Sequence, residues 1–206
     1  MPGTEHTFLQ PQQQQQQQQP TYRVCLSGQY GVGKSTIFQR VTGTTAGNTG
    51  EHTYTIPRFH ASIQLKDTCG FERHNTSMTL GNYYRGCNCI VFVYDVTDIA
   101  TLHYITREFE AIHEQEIVPT DDVKFVVVGN KVDTPPDRVQ VTRDMVVQHL
   151  DSHEELRRCT ANLPEMSGRT GVGVNEFFKK DLKWILEDLV PPSPRVSPQP
   201  YEASCC

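Results

Sequence analysis

The chain has 206 residues, 36% of them apolar and 21% charged, and a formal net charge of −5. That length favours one domain with appended tails, and a core of about 150–170 residues buries most of its apolar surface without disulfide support. The negative charge argues against a nucleic-acid partner, no amino-terminal signal pattern is seen, and no apolar run reaches the roughly 20 residues of a membrane span, so folding in the cytosol is expected.

Residues 1–20 carry the glutamine run Gln12–Gln19 between Pro11 and Pro20. So polar a segment cannot join a core, and disorder is expected. Across 21–190, apolar strands alternate with helical patterns. Tyr22–Ser27 reads as a strand entering a glycine-rich turn, and 34–42 as a helix with Ile37, Phe38 and Val41 on one face. Ala61–Lys66 alternates apolar and polar, as a half-buried strand does. Cys89–Val96 and Val123–Val128 are continuous apolar runs suited to central strands. Leu102, Ile105, Phe109 and Ile112 recur at helical spacing between them, as do Phe178, Leu182, Ile185 and Leu189 near the end. This alternation implies an α/β domain with a mostly parallel sheet and helices on both faces. Pro191 closes the last helix, and 191–206 form a proline-rich, extended tail of about 3 Å per residue.

Seven cysteines make an odd number, and a disulfide framework is not expected in a reducing compartment. Cys25, Cys69, Cys87, Cys89 and Cys159 are read as buried, inert thiols, with Cys87 and Cys89 on one side of a strand. Cys205 and Cys206 stand apart as the last two residues.

Three motifs carry chemistry. Gly28-Gln29-Tyr30-Gly31-Val32-Gly33-Lys34-Ser35 fits the phosphate-binding loop, placed after a strand and before a helix. The glycines let backbone N–H groups curl round phosphates, with Val32 and Thr36 adding amides at the helix start, where the dipole is positive. Lys34 can reach the β and γ phosphates and the Ser35 hydroxyl can ligate Mg²⁺. Asp67-Thr68-Cys69-Gly70 ends the alternating strand. Its aspartate can hold Mg²⁺ through water, and Gly70 permits close approach to the γ phosphate. Asn130-Lys131-Val132-Asp133 lies just past the strand Val123–Val128, at the edge where open sheets place ligands. Asp133 can accept hydrogen bonds from guanine N1 and its 2-amino group, donors that adenine lacks.

These residues resemble the Rab branch of the Ras superfamily of small GTPases over about 22–190 and at the terminus. Rab-like stretches are Asp67–Arg73, Tyr83-Tyr84-Arg85-Gly86 and Val93–Thr97. Ser167-Gly168-Arg169-Thr170-Gly171 looks like the family's fifth guanine-contacting motif, read through a backbone N–H, with Gly168 where alanine is usual. The terminal Cys205-Cys206 is similar to the ending on which Rab proteins receive two geranylgeranyl groups, and two chains anchor far better than one. The resemblance implies a single Ras-like domain over 21–190 with a six-stranded sheet, GTP or GDP with Mg²⁺ as ligands, and a monomer. It also implies effectors, an exchange factor, and GDP-dissociation and escort proteins as partners. The implied place is the cytoplasmic face of an endomembrane or the plasma membrane, with a cytosolic pool, and the implied role is vesicle trafficking.

The sequence also departs from that pattern. Phe71 stands where the family carries a glutamine that orients the attacking water, so slow hydrolysis is expected. Tyr30 places a ring where Rab proteins prefer a small residue. For the Mg²⁺-binding threonine of the first switch, counting forward from Ser35 reaches Thr53 and counting back from Asp67 reaches Thr45, eight positions apart. Thr53 is favoured, with Thr55 second. Two readings stay open: a GTPase switch that resets itself, and a GTP-locked or nucleotide-insensitive module without useful turnover.

Overall fold

The computed structural model describes residues 20–45, 50–56, 61–67, 77–119, 123–187 and 189. Expectations for the glutamine run, Cys69, Gly70, Phe71, Pro191 and the tail with Cys205 and Cys206 lie outside the described residues.

The chain order is β1 (Thr21–Ser27), α1 (Lys34–Thr42), β2 (Glu51–Ile56), β3 (Ala61–Asp67), α2 (Ser77–Tyr84), β4 (Cys89–Asp95), α3 (Ile99–Glu114) and β5 (Lys124–Asn130). It continues with α4 (Arg143–Leu150), α5 (Glu154–Cys159), β6 (Glu165–Met166) and a final helical run, α6. That run joins Val174–Glu176, a π-helical stretch Phe177–Asp181 and Leu182–Glu187. The strands form one sheet in the order β2-β3-β1-β4-β5-β6, in which only the edge pair β2–β3 is antiparallel. The expected architecture is therefore present, with β1, β3, β4 and β5 within two residues of their expected bounds; β2 and β6 had no bounds assigned from the sequence.

Strand alternation divides the core. Val24 and Leu26 of β1, and Cys89, Val91 and Val93 of β4, face a layer with Ile37, Phe38 and Val41 of α1 and Phe177, Phe178 and Leu182 of α6. Cys25, Ile90, Phe92 and Tyr94 face the opposite layer, with Leu102, Ile105, Phe109 and Ile112 of α3. A parallel sheet covered twice needs apolar residues at nearly every central position, and every residue of β4 is buried. The topology also sets where a ligand binds. The connection out of β1 runs to β2 and β3 on one side, whereas that out of β4 runs to β5 on the other, so the crevice opens above the carboxyl ends of these neighbours.

The expectation for the cysteines needs correction. Cys87 precedes β4 rather than lying in it, and it forms a disulfide with Cys25 of β1, the two Cα atoms 6.5 Å apart. Cys87 and Cys89 thus sit in opposite layers. An odd cysteine count excludes complete pairing but not a single bond, and this one depends on β1 lying beside β4. Cys89 and Cys159 are free; burial pushes the Cys89 thiol well up and that of Cys159 up to about 12, so neither supplies thiolate at neutral pH. Because the bond spans 62 residues of sequence, it should stabilise the oxidised protein by about 4 kcal/mol through loop closure. Thermal denaturation of the oxidised protein, of its reduced form and of Cys87→Ser checks this. The last two should melt together, several degrees below the first.

Candidate functional site

Five parallel strands end on one edge, and each delivers a polar residue or loop there. β1 ends at Ser27 and passes into the glycine-rich loop. Gly28, Gly31 and Gly33 all have positive φ, at 132°, 87° and 98°. Such angles are open to glycine at little cost and strain other residues. A side chain at Gly28 would collide with the carbonyl oxygen of Val93 on β4, and one at Gly33 with the Asn130 amide. The loop is thereby pressed against the sheet with its backbone turned to the crevice.

Gly33 is also the N-cap of α1, and no side chain caps that end or places an acidic group in the first turn. By contrast, Asp98 and Thr142 cap α3 and α4 with their own oxygens. An amino-terminal turn capped by glycine offers amides and positive potential to an anion. Lys34, the first residue of α1, is buried and folds back over the loop. Its Nζ donates to the carbonyl oxygens of Gly28 at 2.6 Å and Gln29 at 3.0 Å. An ammonium held on the phosphate-loop backbone has its charge fixed where polyphosphate oxygens would lie. Ser35 follows it half-buried, and Thr36 is exposed. Asp67 is buried at the end of β3, in register with Leu26 of β1. Tyr30 is 62% exposed at the rim of the loop, so its ring does not fill the cradle.

The second half of the crevice comes from β5 and β6. Asn130 is buried, and its amide joins two loops: Nδ2 donates to the Val32 carbonyl at 2.7 Å, while Oδ1 accepts from the Gly168 N–H at 3.0 Å. One side chain so fixes the phosphate loop against the Ser167–Arg169 loop. Lys131 takes φ of 71°, and its Nζ lies 2.5 Å from Asp95 Oδ2. Burial pushes the Asp95 carboxyl up, but hydrogen bonds from Lys131 and Thr97 outweigh it and hold the group below its ordinary value. Asp133 accepts from Ser167 Oγ at 2.6 Å, and Arg169 lies against its other oxygen. The Ser167 bond, helped by Arg169 against slight desolvation, holds the Asp133 carboxyl below its usual range. It is thus ionised at neutral pH and can only accept hydrogen bonds. Arg40 of α1 donates to the carbonyl oxygens of Gly168 and Arg169, closing the ring of loops.

The profile of the Ras family matches residues 23–187. The chain belongs to this family. Among Ras-family relatives, it is 36% identical to the Ras-related protein SEC4 of Saccharomyces cerevisiae over 178 residues, 81% of this chain and 76% of that one. It is 27% identical to human Ras-related protein Rab-12, over 81% of this chain and 68% of the relative. With human Ras-related protein Rab-26 it shares 28% identity over 90% of this chain and 75% of that one. It is thus a divergent, Rab-like member of the family.

Of the Ras-like site residues read in the sequence, the structure assembles Gly28, Gly31, Val32, Gly33, Lys34, Ser35, Asn130, Lys131, Asp133, Ser167, Gly168 and Arg169 around one crevice, with Asp67 on the adjoining strand end. Thr53 is placed elsewhere. It is exposed in the middle of β2, opposite Gln64, three positions or about 10 Å along the strand from the rung of Asp67. Thr55 is farther still, opposite Ser62. Thr45 follows the α1 C-cap, Gly43, and the Gly50 carbonyl already accepts from the Asp67 N–H. Only residues 44–49 therefore connect the helix to the hairpin beside the site. Asp95, Thr97 and Arg40 went unassigned in the sequence reading. Asp95 carried a legible signal, a carboxylate closing an otherwise apolar strand at the ligand edge; Arg40 carried none, because its partners are 128 and 129 residues away.

Proposed function

We propose that this protein binds GTP and GDP with Mg²⁺ and acts in vesicle trafficking as a membrane-anchored, Rab-like GTPase with slow intrinsic hydrolysis. The observation that supports the nucleotide assignment is the Asn130 amide, which ties the glycine-rich loop to the loop facing Asp133, as a ligand spanning the two would require. The donors fit the ligands. Lys34 and the amides of residues 31–36 meet phosphate, the Asp133 carboxylate meets guanine beside the Ser167–Arg169 loop, and the aliphatic stem of Lys131 covers the base.

Ser35 and Asp67 are hard oxygen donors suited to Mg²⁺, which takes its remaining ligands from water and phosphate oxygens. The bound ion would neutralise charge on the β and γ phosphates. For the third protein ligand, the placement of Thr53 inside β2 favours a threonine before Gly50; of the two described between α1 and Gly50, Thr44 is hydrogen-bonded to Thr42 and Thr45 is exposed, which favours Thr45. Nucleotide released from purified protein by denaturation tests the assignment, with GTP or GDP expected in near-stoichiometric amount. Adenine nucleotide in their place would refute it.

Both functional readings use this site. In the first the protein cycles; in the second it stays GTP-bound or ignores nucleotide and recruits effectors all the same. Phe71 supports slow turnover in either case. Geranylgeranyl chains on Cys205 and Cys206 would supply the anchor, and an exchange factor and escort proteins would act as they do on Rab proteins. None of the helices among the described residues is long and apolar enough to cross a membrane, which fits a peripheral attachment. Replacing both cysteines with serine should shift the protein from the membrane pellet to the soluble fraction almost completely, since two prenyl chains provide nearly all the binding energy and the tail carries only Arg195 as a basic residue. Fractionation of cells expressing each form reads the result.

A further inference from the structure

Helix α3 presents Ile105, Phe109 and Ile112 to the core, and Glu108 stands on that same face, three residues from Ile105 and four from Ile112. A carboxylate at such a position costs free energy unless its oxygens are hydrogen-bonded. Glu108 is 6% exposed, and both oxygens are engaged. Oε2 accepts from the Ser27 hydroxyl at 2.7 Å and Oε1 from the Tyr84 hydroxyl at 2.6 Å, while the two hydroxyls lie 2.6 Å apart. Burial, followed by the charge of Glu108, pushes the Tyr84 hydroxyl well above its ordinary range, so it stays a donor at any physiological pH.

The three residues come from three elements with different duties. Ser27 is the last residue of β1, and the next carbonyl along the chain, that of Gly28, holds Lys34 Nζ at 2.6 Å. Tyr84 closes α2, the helix that follows the Asp67 motif. A continuous set of short contacts therefore runs from α2 through Glu108 and Ser27 to the lysine of the phosphate site. Neighbouring contacts hold the same end of α2: Lys66 Nζ donates to the Tyr83 carbonyl at 3.0 Å and Arg23 to that of Arg85 at 2.8 Å.

We propose that Glu108 is a positioning residue that couples the placement of α2 to the phosphate loop, so that nucleotide occupancy and the position of the α2 end at Tyr84 are set together. The coupling rests on the nucleotide site proposed above. An apolar residue at 108 would fill the core without connecting these elements. A carboxylate connects them because one group can accept from two donors on separate elements at once.

The test compares wild type with Tyr84→Phe, Glu108→Gln and the double variant. Release of a fluorescent GDP analogue is followed with Mg²⁺ present, alongside hydrogen exchange of residues 28–33 and 77–84 with and without GDP. Each single variant should speed release about tenfold, and the double variant should do no more than either, because groups sharing one network are not additive. GDP should slow exchange at 77–84 in wild type and not in Glu108→Gln. A merely structural role would lower the melting temperature yet leave release within twofold of wild type and the GDP effect at 77–84 intact, and that result would overturn the proposal. Should wild type bind no GDP analogue, the nucleotide assignment fails by itself. Exchange at 28–33 in the nucleotide-free protein then decides the coupling: faster in Tyr84→Phe upholds it, and unchanged overturns it.

Discussion

Replacing Asp133 with asparagine should weaken GDP binding by about 10⁴-fold and raise affinity for XDP by a comparable factor, because a site built to pair with one hydrogen-bonding edge rejects its complement on that scale. The wild-type carboxylate is ionised and held from one side by Ser167 Oγ at 2.6 Å. It offers lone pairs only, which matches the N1 proton and 2-amino group of guanine. An asparagine amide offers one acceptor and one donor. Xanthine carries a carbonyl where guanine carries the amine, so the new donor is used by xanthine and wasted on guanine. Arg169 pairs with the second oxygen of Asp133, but the arginine is exposed and such a pair is worth little, so the base displaces it at small cost. Competition of GDP, XDP and ADP against a fluorescent nucleotide measures the change. Unaltered GDP affinity in the variant would remove Asp133 from the base site.

The second large effect concerns turnover. Wild-type protein should hydrolyse bound GTP slowly, and Phe71→Gln should accelerate it by up to about 10²-fold, the factor that a misplaced reacting group costs. Hydrolysis of the γ phosphate needs a water placed in line, and a side-chain amide can hold that water by accepting one of its protons and donating to its lone pair. A phenyl ring does neither. Lys34 is held on the Gly28 carbonyl, away from position 71 in the sequence, so on the proposed assignment binding should be nearly unchanged while the chemical step moves. Single-turnover hydrolysis of radiolabelled GTP, measured beside the dissociation constant, separates the two. A wild-type rate equal to that of ordinary Rab proteins would show that another group positions the water.

The features legible in the sequence were those encoded by neighbours. The alternation in Ala61–Lys66, the all-apolar run of β4 and the spacing of Ile37, Phe38 and Val41 each reflect one periodicity over a few residues, and the strands and helices lie where these patterns put them. The phosphate loop was legible for the same reason, since the positive φ angles at Gly28, Gly31 and Gly33 leave glycine as the fitting residue type. What escaped depends on how distant segments meet. The Cys25–Cys87 bond follows from the β1–β4 pairing, and the Asn130 amide finds Val32 across 98 positions. Counting along the chain from Ser35 assumed a connection of ordinary length. The short link after α1 puts Thr53 inside β2 instead, with its side chain on the exposed face. Glu108 did leave a local trace, a charge at an apolar helical position, yet its meaning required the positions of Ser27 and Tyr84.

On the proposed reading, this Ras-family chain holds a guanine nucleotide in the crevice that Asn130 organises. Calorimetric titration of nucleotide-stripped protein with GDP and with ADP, each in Mg²⁺, tests it most directly. One GDP site per chain is expected, with a dissociation constant of about 1 μM or tighter, about −8 kcal/mol or better, and no heat from ADP over the same range. Equal affinity for the two nucleotides, or no binding of GDP, would contradict it.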